Sequence, residues 1–156
     1  MERQPGPPSE RAALHPLLDR LITRDGVRQL TTADFDAFAA APGHALLLFT
    51  EDPVRIRETL DLAVILPEIL HAFAGRMRAA VLLPEVARTI AVAYGFRRWP
   101  ALVMLKDGGY VGAIDGLRNW DEYLAEIARL LEAPVTRPPS VGIAVRGPDG
   151  APGCAA

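Results

Sequence analysis

Thiols, imidazoles and carboxylates do most side-chain chemistry near neutral pH, and this sequence holds few of the first two. Its one cysteine, Cys154, stands in "APGCAA". A lone thiol cannot close an internal disulfide, and its small neighbours give no reason for a lowered pKa. His15, His44 and His71 are isolated, so no metal-ligand spacing is present, and each reads as a surface or helix-end residue. Carboxylates are better placed. Glu51, Asp52, Glu58 and Asp61 fall in one charged run, "EDPVRIRETLD", interleaved with Arg55 and Arg57. Such a run can meet a cationic partner, or it can pair within itself as a solvated loop. The second candidate stretch is "RRWPALVML", where Trp99 and Pro100 head an apolar run. Trp99 can serve a docking face or simply fill the core.

Composition narrows the function classes. The net charge is −2, and of seventeen basic residues only Lys106 is a lysine. The arginines are scattered rather than gathered in a stripe, so nucleic acid is not an expected partner. "MERQPGPPSER" has no apolar stretch and is not expected to be a signal peptide. Runs such as "LAVIL" are too short to span a bilayer, so no membrane insertion is expected and a cytoplasmic location is.

The elements that must position these residues can be read from periodicity and punctuation. Residues 1–11 are expected to be a flexible N-terminus, 12–133 the folded domain and 134–156 a Pro/Gly-rich flexible tail, because both ends bury little. Within that tail, "SVGIAV" at 140–145 could pair as a strand. A helix should start near Pro16, with Leu14, Leu17, Leu18, Leu21 and Ile22 at helical spacing. "VRQL" reads as a short strand, and Thr31 or Thr32 as the cap of a helix burying Phe35, Phe38 and Ala39. "HALLLF" is apolar without alternation, as in a strand buried on both faces. A helix over roughly 62–74 contains Pro67, which should kink it. "MRAAVLL" reads as a strand, and "PEVARTIAVAYGF" as a helix from Pro84 to Gly95. "ALVML" and "YVGAI" form a hairpin across "KDGG". The last helix opens at Asn119 with Glu122 three residues on, and Trp120, Tyr123, Leu124, Ile127, Leu130 and Leu131 form its expected buried stripe. Two βαβ crossovers and one hairpin imply an α/β fold, a mixed central sheet with helices on both faces.

This order, with "YGFRRWPALVMLKDGGYVGAIDG", resembles thioredoxin. The resemblance implies a thioredoxin-like fold with an extra N-terminal helix and a cis-proline at Pro100. In the redox enzymes that proline leaves the preceding backbone free to pair with an extended substrate. Taking Pro67 as the proline of the thioredoxin active-site helix, the two cysteines would fall at Thr59 and Leu62 and the buried acid at Leu48. Attacking thiolate, resolving thiol and proton acceptor are all missing.

A narrower resemblance fits better. "EDPVRIRETLDLAVILPEIL", "GFRRWPALVMLKDGGYVGAIDG" and "WDEYLAEI" resemble the HyaE/HoxO family of [NiFe]-hydrogenase maturation proteins over about residues 14–132. Asp52, Pro53 and Arg55, the Glu58…Asp61 pair and Ala63-Val64-Ile65 carry most of its specificity. The resemblance implies a non-enzymatic accessory chaperone for the iron–sulfur small subunit of an uptake hydrogenase. Such a protein binds the precursor and its twin-arginine signal peptide before export, often with a second maturation protein. The Arg97-Arg98 pair here is internal and is not such a signal. No cofactor is implied, since the chain has no ligands for a cluster.

A binder of two arginines followed by an apolar segment should present carboxylates beside an apolar groove. Glu51, Asp52, Arg55, Glu58, Asp61, Trp99 and Pro100 are therefore the expected partner-binding residues. Two other classes stay open: a generic thioredoxin-like interaction domain with another client, and a monothiol redox enzyme using Cys154. The strand "VRQL" offers an alternative docking edge, with Arg28 either recruiting a partner or guarding against aggregation.

Overall fold

Six consecutive residues of "HALLLF" need cover on both sides, and the fold supplies it. The computed structural model describes residues 14–140. In chain order the elements are α1 (Pro16–Thr23), β1 (Arg28–Gln29), α2 (Thr32–Ala40), β2 (His44–Phe49), α3 (Glu58–Ala72), β3 (Arg78–Leu82), α4 (Pro84–Ala91), β4 (Ala101–Lys106), β5 (Gly109–Asp115) and α5 (Trp120–Glu132). The sheet order is β1-β3-β2-β4-β5. β3 runs parallel to β1 and β2, while β4 is antiparallel to both β2 and β5. This is the thioredoxin-like arrangement, preceded by the extra helix α1. The Trp99–Pro100 bond is cis.

Alternation along the central strands divides the core in two. Leu46, Leu48, Leu102 and Met104 pack with Leu18 and Leu21 of α1, Leu62, Leu66 and Ile69 of α3, and Tyr123, Ile127 and Leu130 of α5. Leu47, Phe49, Val103 and Leu105 face the other way, onto Phe35 and Phe38 of α2 and Ala87 of α4. The leucines of β2 are wholly inaccessible to solvent, and each such side chain contributes about 1.5–3 kcal/mol by leaving water.

Register then decides what meets at one end of the sheet. Phe49 pairs with Ala101, and Ala101 with Asp115. The end of β2, the start of β4 and the end of β5 therefore share a rim. That rim carries the 50–57 loop, the Trp99–Pro100 turn and the 116–119 loop. It also carries the first turns of α3 and α5, which begin directly after two of those loops.

Several boundaries differ from the sequence reading, each for a physical reason. α3 starts at Glu58, four residues before the expected 62. Its first buried side chain is Thr59, a polar residue that adds nothing to an apolar stripe. The helix continues through Pro67, whose missing N–H leaves the Ala63 carbonyl without its helical donor. α4 stops at Ala91 rather than Gly95. The chain tightens there so that Tyr94 can stack on Tyr110 and meet Phe49 edge-on. Trp120, expected in the core, is 42 % exposed: it is the first residue of α5, and the buried face of that helix begins at Tyr123. Ser140 apart, the strand expected over 140–145 lies outside the described residues, as do residues 1–11 and Cys154.

Candidate functional site

The rim is built by short local contacts. After β2, Thr50 turns back to β3, its hydroxyl donating to the Leu82 carbonyl at 2.7 Å. Asp52 then folds the charged run into a turn. Its carboxylate accepts from the Val54 N–H at 2.9 Å, and its carbonyl accepts from the N–H groups of Arg55 and Ile56. Ile56 and Arg57 pass the chain into α3 by accepting from Thr59 and Leu60. The turn lifts Val54 into solvent at 93 % exposure.

Glu51 behaves unlike its acidic neighbours. It is only 8 % exposed. Arg88 of α4 grips both of its carboxylate oxygens, with Nε donating at 2.9 Å. Oε1 also accepts from the Asp52 N–H at 2.8 Å. The Arg88 hydrogen bond holds the Glu51 carboxyl below the ordinary carboxylate range, against the upward pull of burial. The same bond raises Arg88. The alternative in which Arg55 and Arg57 neutralise the acids is not what forms. Among the described residues the ion pairs are Arg88–Glu51, Arg76–Glu132, Arg118–Asp115 and Arg129–Glu126.

Glu58 and Asp61 stand exposed in the first turn of α3, where the helix dipole favours negative charge. Thr59 points inward, fully buried, and its hydroxyl accepts from the Glu51 N–H at 3.3 Å. Leu62 and Leu48 are buried likewise.

On the opposite side of the rim, Trp99 is half-buried and meets the Phe96 ring edge-on at 5.0 Å. Phe96 in turn meets the fully buried Phe49 at 5.1 Å. An aromatic chain thus runs from the core to the surface at Trp99. Pro100 is buried, and its carbonyl accepts from the Gly116 N–H at 2.9 Å. Asp115 steadies the adjoining loop by accepting from the Arg97 N–H at 3.1 Å and pairing with Arg118. Tyr123 adds a second tie, accepting from the Arg118 N–H and donating to the Gly116 carbonyl. Asn119 opens α5 with its N–H donating to Glu122, as its sequence spacing predicts.

The expected site residues share a rim but not a single pocket. Glu51 and Trp99 line one open groove of about 800 Å³ with Arg88, Val92, Gly95 and Phe96. Arg57 and Val54 line a different hollow beside His15. Asp52, Arg55, Glu58 and Asp61 line neither. The sequence reading missed Arg88, because its partner lies 37 positions away and nothing local marks it. Gly95 and Phe96 were legible as a helix end and an apolar residue, without a hint that they floor a groove. Chemically, the rim offers exposed carboxylates, a partly exposed indole and a largely apolar groove whose lining includes the Glu51–Arg88 ion pair. Among the described residues no cluster of three metal-ligating side chains occurs. Nor is any helix among them long and apolar enough to cross a membrane.

Comparison with known proteins places this geometry. Residues 17–123 match the family model described as "Hydrogenase-1 expression protein HyaE". The hydrogenase expression/formation protein HoxO of Cupriavidus necator is 38 % identical over 135 residues, covering 85 % of this chain and 84 % of that protein. HupG of Bradyrhizobium diazoefficiens, another hydrogenase expression/formation protein, is 31 % identical over 128 residues, covering 80 % and 86 %. A crystal structure of a HupG from Rhodopseudomonas palustris is 34 % identical and covers 67 % of this chain and 94 % of that one, with a TM-score of 0.48. On the family model and these full-length relatives, the chain belongs to the HyaE/HoxO/HupG family of hydrogenase expression and formation proteins.

Proposed function

We propose that this protein serves hydrogenase maturation as a non-catalytic accessory chaperone. It acts in the cytoplasm, holding the precursor of the iron–sulfur small subunit by its twin-arginine signal peptide before export, alongside a second maturation protein. The maturation role follows from the family. The finer reading is carried by one observation, the different fates of the acids on the rim. Glu51 is buried and neutralised by Arg88, whereas Glu58 and Asp61 are exposed and belong to no ion pair found among the described residues. Two carboxylates three residues apart on one helix face suit two successive guanidinium groups. The apolar groove beside Trp99 suits the hydrophobic stretch that follows them. Docking in place of catalysis agrees with Thr59 and Leu62, which are buried and carry no thiol.

The test is calorimetric titration of the purified protein with the small-subunit precursor, with and without its signal peptide. Binding should depend on the signal peptide and weaken about tenfold or more in a Glu58→Ala/Asp61→Ala variant, as expected when two charge-assisted contacts are lost. Equal affinity for both forms of the precursor would remove the signal peptide from the proposal. Capture of an unrelated client in its place would favour a generic interaction domain. Disulfide-reductase activity abolished by Cys154→Ser would favour the monothiol enzyme.

A further inference from the structure

The chain leaves α5 as "APVTRPPS", residues 133–140, a sequence whose prolines rule out a regular helix or central strand. Instead it crosses the sheet edge. The Thr136 N–H donates to the Tyr110 carbonyl of the edge strand β5 at 2.8 Å. Val135 lies directly over Gly109, and the Pro139 carbonyl directly over Gly95, both where a Cβ would stand. Arg137 to Ser140 then form one wall of the groove whose other wall includes Trp99, Phe96 and Arg88.

The attachment is slight. No ion pair or side-chain hydrogen bond from residues 134–140 occurs among the described residues, and Val135 is half exposed. Pro138 and Pro139 have no N–H to give, and an extended proline pair makes no bonds to itself. The segment is thus held along the edge strand by one backbone bond and two glycine seats, and an unpaired sheet edge is a surface that an extended segment can join.

We propose that residues 134–140 are a displaceable strap, which walls the groove beside Trp99 in cis and which the extended twin-arginine signal peptide replaces. The strap thereby occupies part of the docking surface until that segment arrives. The proposal rests on the reading of the rim as a docking face.

Two point variants of the full chain test it. Gly95→Asn places a Cβ against the Pro139 carbonyl while keeping a residue that tolerates the left-handed backbone of φ +64°. Thr136→Pro removes the donor to Tyr110. Each is made in a Trp120→Phe background, so that Trp99 is the sole tryptophan, and folding is checked by circular dichroism. Acrylamide quenching of Trp99 should rise in both. Affinity for a synthetic twin-arginine signal peptide should tighten about two- to tenfold, the range for relieving competition from a segment held by one net backbone hydrogen bond. Unchanged quenching in both folded variants overturns the strap, leaving it as an edge guard. Raised quenching with unchanged or weaker peptide affinity overturns the competition. Raised quenching with no peptide binding by any protein, parent included, upholds the cover and refutes the signal-peptide reading instead.

Discussion

Phe96→Ala and Phe96→Leu probe the aromatic chain that carries Trp99. Phe96 is half-buried and touches Phe49 and Trp99 edge-on at 5.1 and 5.0 Å. Truncating a fully buried phenylalanine to alanine costs about 3–5 kcal/mol. Partial exposure here lowers the expected loss to about 2–3 kcal/mol, since part of the ring is already in water. Leucine retains most of the apolar area but loses both edge-to-face contacts, each worth about 0.5–1.5 kcal/mol beyond burial. The two contacts sum to about 1–3 kcal/mol, and the partial exposure of Phe96 and Trp99 puts the leucine variant in the lower part of that range, at about 1–2 kcal/mol. For a chain of this length each kcal/mol moves the midpoint by about 2–4 °C, so the alanine variant should melt about 4–12 °C lower and the leucine variant about 2–8 °C lower. Urea denaturation gives the free energies. The long-wavelength edge of the near-UV circular dichroism spectrum, beyond tyrosine absorption, reports on Trp99 alone in a Trp120→Phe background, and its signal should shrink in both variants. An unchanged Trp99 signal alongside a full loss of stability would refute the idea that Phe96 orients the indole. A loss below about 0.5 kcal/mol in the alanine variant, the range of ordinary surface substitutions, would refute the packing argument itself.

Arg88→Gln should lower the melting temperature at neutral pH, and the gap from the parent should narrow in acid. Glu51 has a depressed folded-state pKa, so its contribution is present above its unfolded value and fades as pH falls through the folded one; a gap constant from pH 7 to about pH 3 would contradict this. Glu58→Ala/Asp61→Ala should change stability by only about 0.3–1 kcal/mol per site, the helix-dipole contribution, while weakening precursor binding. A parallel loss of fold by denaturation would void the binding role. In a Cys154→Ser background, Thr59→Cys should give a thiol that reacts with Ellman's reagent only on unfolding, because the side chain there is fully buried. Fast native-state reaction would show that the first turn of α3 opens.

The fold was legible because its signals were local. "HALLLF", the Pro84 helix start, the "KDGG" turn and the Asn119–Glu122 spacing each say what they are within a few residues, and all four stand in the structure. The misses come from contacts between distant residues. Thr59 begins the buried face of α3 as a hydroxyl, invisible to apolar periodicity. Trp120 keeps the helical spacing of the core stripe yet stays largely in solvent, because the buried face of α5 begins only at Tyr123. Arg88 sits in a helix whose own acid, Glu85 three residues before it, is not its ion-pair partner. The seats for Val135 and Pro139 are glycines far upstream, which sequence marks only as turn residues.

The candidate site shows the same division, and it bears on function. In a thiol enzyme the rim must keep one side chain reactive and reachable. Thr59, where the resemblance to thioredoxin would put the first cysteine, is buried and accepts a backbone N–H from Glu51, whose carboxylate is gripped by Arg88. These bonds tie the 50–57 loop to both α3 and α4. The other half of the rim is tied through Asp115, Arg118 and Tyr123. Polar groups in such networks hold their neighbours in one arrangement, and a surface fixed before binding loses less entropy when a flexible segment settles on it. Under the proposed docking, an extended signal peptide carries most of the ordering cost itself, so the gain from a preformed rim falls on the protein's side. Loosening the rim without touching an exposed acid, as Tyr123→Phe does by removing one hydroxyl, should therefore weaken precursor binding while leaving the Glu58 and Asp61 contacts intact.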